Sequence, residues 1–297
     1  MIRIGTSLTT SYGKGANARD GADAVIAASH AASEAGLDSV FLGDHHNTGP
    51  SVYYQNVPLL GRLLAEWRGG RAGILALLPL WQPVLLAEQI GTLAALTDAR
   101  FVLQCSLGDE AHQFEAFDAD RRQRVPMFEH CLATVQALLR GETVRGTTIA
   151  PVPDRTVEYW VGAMASAGLD RAARMADGWL ANPGSSVHVL RDRVAYYLDA
   201  CARHERTPTA VAVRRDIFVG ASDGDARQAT RELLAGGYRG IDPDVLVIGS
   251  AQTVAERFAS LAELGFTDVI VRHVRVSTEQ VLDSTQRLAE VRSFLAR

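Results

Sequence analysis

Short runs of aliphatic and β-branched residues alternate along the chain with longer stretches whose apolar positions recur at helical spacing. The runs at 2–8, 39–43, 71–78, 100–106, 157–162, 178–181, 211–219 and 269–274 predict eight strands. Helices are predicted over 20–35, 83–96, 124–139, 169–176, 187–203, 226–235 and 253–264, with a last one over 278–295. Gly36 stops the first helix, because a residue in left-handed conformation ends a helix and glycine adopts it without a Cβ penalty. Strands separated by helices of this length argue for parallel βαβ units. Eight such units suit a closed ring better than an open sheet. The expected fold class is therefore α/β, a single (β/α)8 TIM barrel over residues 1–297 with loop insertions at its C-terminal face.

Two segments break the alternation. Residues 44–55 (DHHNTGPSVYYQ) form a long polar and aromatic loop after the second strand, and 107–123 (LGDEAHQFEAFDADRRQ) a charged stretch after the fourth. Both follow the C-terminal ends of strands, where barrel proteins place their sites.

Composition narrows the function classes. With 297 residues and 47% hydrophobic content, the chain can build one large core. A net charge of -4 gives no electrostatic reason to bind nucleic acid or an anionic membrane. Lys14 is the sole lysine, which reads as coding bias. Cys105, Cys131 and Cys201 show no CxxC or CxxxH spacing, so neither a disulfide framework nor a zinc site is expected. The start MIRIGTSLTT lacks the features of a secretory signal, and no apolar run approaches the ~18 residues of a membrane span. A cytoplasmic setting is expected.

His45 and His46 stand at the exit of the second strand, where successive side chains diverge and one is expected to enter the ring. An imidazole there can exchange protons near neutral pH, although two solvated loop histidines would leave the same trace in the sequence. A metal site would need further ligands, and His112 and His130 belong to other segments, so no metal is expected. Residues 161–168 (VGAMASAG) lead from a strand into a helix through small side chains. Such a turn lets an anion approach the free N–H groups of the first helical turn, with Ser166 as cap and phosphate ligand; an ordinary capped helix reads the same way. Arg124 heads the helix after the charged stretch and can reach a phosphate or remain at the surface. Trp81 reads as either a packing residue or a cavity lid, and Tyr53, Tyr54, Phe114 and Phe117 as either core or pocket lining. No Gly-x-Ser-x-Gly elbow and no dinucleotide fingerprint after the first strand is present.

Taken in order, several stretches resemble one family, the bacterial-luciferase-like oxidoreductases that use flavin or F420. They are 32–46 (ASEAGLDSVFLGDHH), 78–108 (LPLWQPVLLAEQIGTLAALTDARFVLQCSLG), 115–141, 157–180 (VEYWVGAMASAGLDRAARMADGWL) and 248–271 (IGSAQTVAERFASLAELGFTDVIV). The resemblance runs over nearly the whole chain. It implies a barrel that binds FMN or F420 at its C-terminal mouth, with His45 as the active-site histidine and His46 beside it. Ala163, Met164, Ala165, Ser166, Ala167 and Gly168 would hold the cofactor phosphate, assisted by Arg124. Ser106 and Leu107 would border the ring system, and Leu75 to Leu77, including Ala76, would support its other face, in some members through a non-prolyl cis peptide. Gln82 and Leu107 depart from the residues many relatives carry, His and a phosphate-binding Arg. With few side-chain contacts left to the phosphate, loose cofactor binding is implied.

The first functional expectation from this resemblance is a monooxygenase that oxidises a small organic substrate with dioxygen and reduced FMN supplied by a partner reductase. His45 would stabilise or protonate the oxygenated species while the aromatic loop excludes water. The alternative is an F420-dependent reductase or dehydrogenase passing hydride to or from the substrate. A non-catalytic flavin-binding subunit is a third, against which the His45–His46 pair argues. A homodimer is expected, with the apolar helices over 84–96 and 125–139 as candidate interfaces.

Overall fold

The computed structural model describes residues 1–13, 15–46 and 52–297; Lys14 and positions 47–51 of the predicted loop lie outside the described residues. Eight parallel strands close into a ring: β1 (Arg3–Leu8), β2 (Ser39–Leu42), β3 (Arg71–Leu77), β4 (Arg100–Ser106), β5 (Glu158–Gly162), β6 (Gly178–Ala181), β7 (Ala210–Gly220) and β8 (Asp268–His273). Closure is made by β8 pairing with both β7 and β1, and by β6 pairing with β7. The expected barrel is therefore observed. Around it run α1 (Ala18–Glu34), α2 (Asn56–Leu64), α3 (Pro83–Ala95), α4 (Arg124–Leu139), α5 (Ser166–Met175), α6 (Val187–Arg203), α7 (Asp223–Ala235), α8 (Ala251–Glu263), α9 (Thr278–Gln286) and α10 (Leu288–Leu295).

Because strand side chains alternate, each strand gives one set to the ring interior and one to the helical layer. Ile4, Val40, Ile74, Leu103, Val161, Trp179, Val213 and Val269 face the helices in the main core. Inside, Phe41, Val102, Trp160, Ala210, Ala212 and Ile270 fill the ring as a separate plug. Below the plug, the floor is a charge network. Asp268 accepts from Arg3 at 2.7 and 2.6 Å, and Arg71 lies 3.4 Å from Asp268 and 3.5 Å from Glu158. Arg100 donates to Glu158 at 2.7 Å, with Trp160 Nε1 and Thr209 Oγ1 each at 3.1 Å. Burial alone would raise the pKa of Glu158, but the bond from Arg100 and the charge of Arg71 hold it below the usual carboxylate range. At Gly73 the strands approach so closely that a Cβ would sit 1.9 Å from the Val102 carbonyl oxygen.

Four features differ from the expected elements. Residues 56–64 form α2, a helix whose Leu59, Leu60, Leu63 and Leu64 are buried. Residues Val247–Ser250 form a short strand that pairs with the outer end of β7, beyond the ring. The charged stretch contains a short helix, Ala111–Ala116. The last predicted helix is two: α9 packs on α1 and offers Ser284 Oγ to the Val219 N–H at 2.8 Å, whereas α10 packs on α8. Gly36 takes φ +71° as expected. Among the described residues no helix is long and apolar enough to cross a membrane, and no cluster of potential metal ligands occurs. The apolar side of α4 (Phe128, Cys131, Leu132, Val135, Leu138) is covered by its own chain, while α3 exposes Leu85.

The floor network makes a stability prediction. Glu158→Ala leaves Arg71 buried beside a lost partner and is expected to lower the unfolding free energy by about 3–5 kcal/mol in chemical denaturation. A loss under ~1 kcal/mol would show that the floor charges do not hold the ring closed.

Candidate active site

The C-terminal mouth is organised by the exit of β2. Asp44 is buried, and its Oδ2 accepts from the Leu77 N–H and from Trp81 Nε1, both at 2.8 Å. This ties the end of β2 to the turn that follows β3. With Asp44 turned to that side, alternation sends His45 to the other, the side of Gly43 and the ring interior. The imidazole folds back over Gly43, where a Cβ would lie 2.8 Å from His45 Nε2. Tyr53 covers its face, with ring centroids 4.0 Å apart. Tyr53 belongs to a small antiparallel ribbon, Val52–Tyr53 against Ser11–Tyr12, and Arg275 bonds both Ser11 Oγ (2.6 Å) and the Tyr53 hydroxyl (3.3 Å).

Burial first, then the positive charges of Arg272, Arg214 and Arg239, lower the His45 pKa to about 4 against the opposing pull of Asp44. The imidazole is neutral at pH 7. His46 points elsewhere. Its Nε2 lies 2.9 Å from Asp44 Oδ1 without hydrogen-bond alignment, and its ring sits against Phe117 (4.8 Å) and Trp81 (6.1 Å). Gln113 from the charged stretch donates to the His46 carbonyl at 2.9 Å. Of the pair, His45 alone enters the mouth.

The turn after β5 has the features of an anion cradle. Trp179 Nε1 anchors the Ala163 carbonyl at 2.7 Å, and Gly168 is required because a Cβ there would meet the Ala163 Cβ at 2.8 Å. Ala165, not Ser166, is the N-cap of α5 and brings no capping side chain. The N–H groups of Ser166 and Ala167 therefore have no partner among the described residues, as a bound phosphate requires. Ser166 Oγ instead meets Arg193 of α6, whose Nη1 donates at 3.3 Å. Arg124 stays with its own segment, donating to the Arg121 carbonyl at 3.2 Å. Arg193 thus stands at the turn where Arg124 was expected, and nothing in the sequence marked it.

Leu75 and Ser106 share the inward face of their strands, by the same alternation that carries Arg71, Gly73 and Val102 inward. Ala76 is fully buried in the helical layer, and Leu107 packs against the same core. Ala76 can border a cofactor through its backbone only. The peptide bonds of β3 are trans; among the described residues the cis bond is Ala150–Pro151. The β7 and β8 walls add Arg214, Asp216 and Arg272, which the strand patterns VRRDI and VIVRH held in view as charges inside apolar strands. A cavity of about 470 Å³ lies beside the mouth, lined by Thr6, Tyr12, Asp20, His273 and Val281 among others, without His45 or the β5 turn.

A family model described as luciferase-like monooxygenase matches residues 2–268. An F420-dependent glucose-6-phosphate dehydrogenase from Beutenbergia cavernae is 27% identical over 221 residues, which span 67% of this chain and 65% of that relative. Among solved structures, monooxygenase RslO1 from Streptomyces bottropensis superposes with a TM-score of 0.83 at 18% identity, covering 97% of this chain and 98% of its own. The oxygenating constituent of 3,6-diketocamphane monooxygenase from Pseudomonas putida, in complex with FMN, gives 0.80 at 17% identity and 98% coverage of both. These structures share the fold.

The cradle makes a binding prediction. Ala167→Asp places a negative charge on an exposed position beside the free N–H groups and is expected to weaken FMN or F420 binding about tenfold, ~1.4 kcal/mol. Melting temperature should hold or rise, because an acidic residue suits a first helical turn. Undiminished cofactor affinity would move the phosphate site elsewhere.

Proposed function

The chain belongs to the luciferase-like monooxygenase family of oxidoreductases, and within it we propose an enzyme that passes hydride between F420 and the alcohol or carbonyl carbon of a small organic substrate. The observation that carries this reading is the neutral imidazole of His45, half-buried at the mouth beneath Tyr53. Oxidation of an alcohol releases a hydride from carbon and a proton from oxygen. When bound, F420 supplies the two-electron hydride acceptor or donor. His45 takes the hydroxyl proton, a role for which an unprotonated base is required. In the reverse direction the protonated His45 returns it. Tyr53 keeps water from the imidazole, and the Ala163–Gly168 turn with Arg193 holds the cofactor phosphate. The F420-dependent relative from Beutenbergia cavernae supports this choice of cofactor.

The second reading, a monooxygenase using reduced FMN from a partner reductase and dioxygen, is favoured by the aromatic cover around the two histidines, Tyr53, Trp81 and Phe117. In that chemistry His45 serves as a hydrogen-bonding partner, not as an acid. Arg193 bears on the choice, because a side-chain clamp at the phosphate fits a cofactor held between turnovers better than one borrowed loosely. In either reading a homodimer would use the exposed Leu85 and Leu96 beside α3.

Parallel titration with F420, FMN and reduced FMN tests the cofactor. We expect F420 to bind at least tenfold more tightly than either flavin and turnover to need no oxygen; substrate-dependent oxygen uptake with reduced FMN would replace this reading by the second. For His45→Ala, turnover should fall ~100-fold or more with folding and cofactor affinity retained. In the oxidative direction kcat/KM should be level from pH 6 to 8 and fall as the medium is acidified through about pH 4, where His45 gains its proton. An acid limb near 6.5 would assign the base to another group.

A further inference from the structure

The inner wall formed by β7 and β8 carries more positive charge than its own residues neutralise. Arg214 and Asp216 on β7 and Arg272 on β8 share the inward face of Ala210, Ala212 and Ile270, one and two pleats closer to the mouth. Asp216 is 1% exposed, and its Oδ2 accepts from the Tyr238 hydroxyl and Arg239 Nη1, both at 3.0 Å. Its Oδ1 lies 3.4 Å from Arg214 Nε without hydrogen-bond geometry. Arg272 is 7% exposed and donates from Nε to Thr9 Oγ1 at 3.1 Å.

Among the described residues the Arg214 guanidinium donates no hydrogen bond, and neither Nη group of Arg272 has an acceptor. Arg214 Nε is buried and unpartnered. One carboxylate faces three guanidinium groups, of which Arg272 is buried, Arg214 half-buried and Arg239 open to solvent, so the wall keeps a positive excess. Burying charged donors without acceptors is unfavourable, and such an arrangement persists where a ligand completes it. Burial pushes Arg214 down to about 10, with Arg272 and Arg239 adding to the effect, yet it stays charged at pH 7. The same three arginines lower the pKa of His45, which puts the wall within electrostatic reach of the base. The floor of this barrel differs in degree: there three arginines share two carboxylates, Asp268 and Glu158, and each lies within 3.5 Å of at least one of them, although Arg71 Nε is also without a partner.

We propose that Arg214 and Arg272 anchor the substrate through an oxyanionic group, a phosphate or a carboxylate, and so hold its reacting carbon within reach of His45. The planar fork of arginine suits both groups, and two forks converging on one anion fix its orientation as well as its charge. The inference rests on the proposed reading of the mouth as the place of hydride transfer. Two anion sites then have separate roles, the β5 turn holding the cofactor and the β7–β8 wall holding the substrate.

Calorimetric titration at constant ionic strength tests it, with inorganic phosphate and acetate as probes. The protein carries Ala167→Asp, so that phosphate is kept from the β5 turn. We expect saturable binding of at least one probe, weakened tenfold or more by Arg214→Met or Arg272→Met; the tighter probe identifies the group. Methionine replaces an uncompensated charge with an apolar chain of similar length, so these variants should fold. Arg272→Lys, which keeps the charge but loses the fork, provides a second check through partial weakening. Cofactor affinity of the single arginine variants should stay within twofold of the parent.

No binding of either probe, or binding indifferent to both arginines, overturns the proposal. Loss of cofactor affinity in the arginine variants also overturns it, because the wall would then hold the cofactor's own phosphate. If the probes bind as expected but neither F420 nor a flavin binds the unmodified protein, the anchor stands and the proposed function fails.

Discussion

A single buried carboxylate sets the direction of His45. Asp44 accepts from the Leu77 N–H and from the Trp81 indole, and these bonds lock the exit of β2 to the turn after β3. Strand geometry does the rest. Once Asp44 faces that turn, its neighbour must face the ring, and His45 does. Gly43 leaves room for the imidazole to lie back over the strand end. Without the clasp, residues 44–46 would be an ordinary loop with two histidines of no fixed direction.

The barrel handles charge in opposite ways at its two ends. At the floor, three arginines share two carboxylates, and short bonds from Arg3 and Arg100 join them, so the network stabilises closure. At the mouth, Arg214 and Arg272 are left short of acceptors, and the imidazole beside them stays neutral. The hydrophobic plug of Phe41, Val102, Trp160 and Ile270 separates the two regions. This separation lets the mouth keep an unfavourable, ligand-seeking field without loosening the ring.

The fold was legible because eight short apolar runs, each bounded by helical patterns, leave few alternatives. The misses have local causes. Helix α2 contains Pro58 and Gly61, so propensity argued against it, and its four buried leucines stabilise it through tertiary packing. The strand Val247–Ser250 is too short to stand out and exists because β7 runs past the ring. At the mouth, the inward direction of His45 was legible from its place after a strand. Ser166 was expected to cap its helix but lies one residue inside it. The contact between Arg193 and Ser166 joins positions 27 apart on separate helices, and no spacing rule connects them. Ala76 and Leu107 fall on the outward face, a consequence of register that a motif alone does not fix.

The account turns on an imidazole that is half-buried at the mouth, neutral at physiological pH and flanked by arginines. Titration of the ligand-free protein followed by the ring NMR signals of His45, assigned with His45→Gln, reads that state directly. The account predicts a midpoint near pH 4. A midpoint near 6.5, the value of a solvated histidine, would mean that His45 is neither enclosed nor held in the field of Arg272 and Arg214, and the proposed chemistry would lose its base.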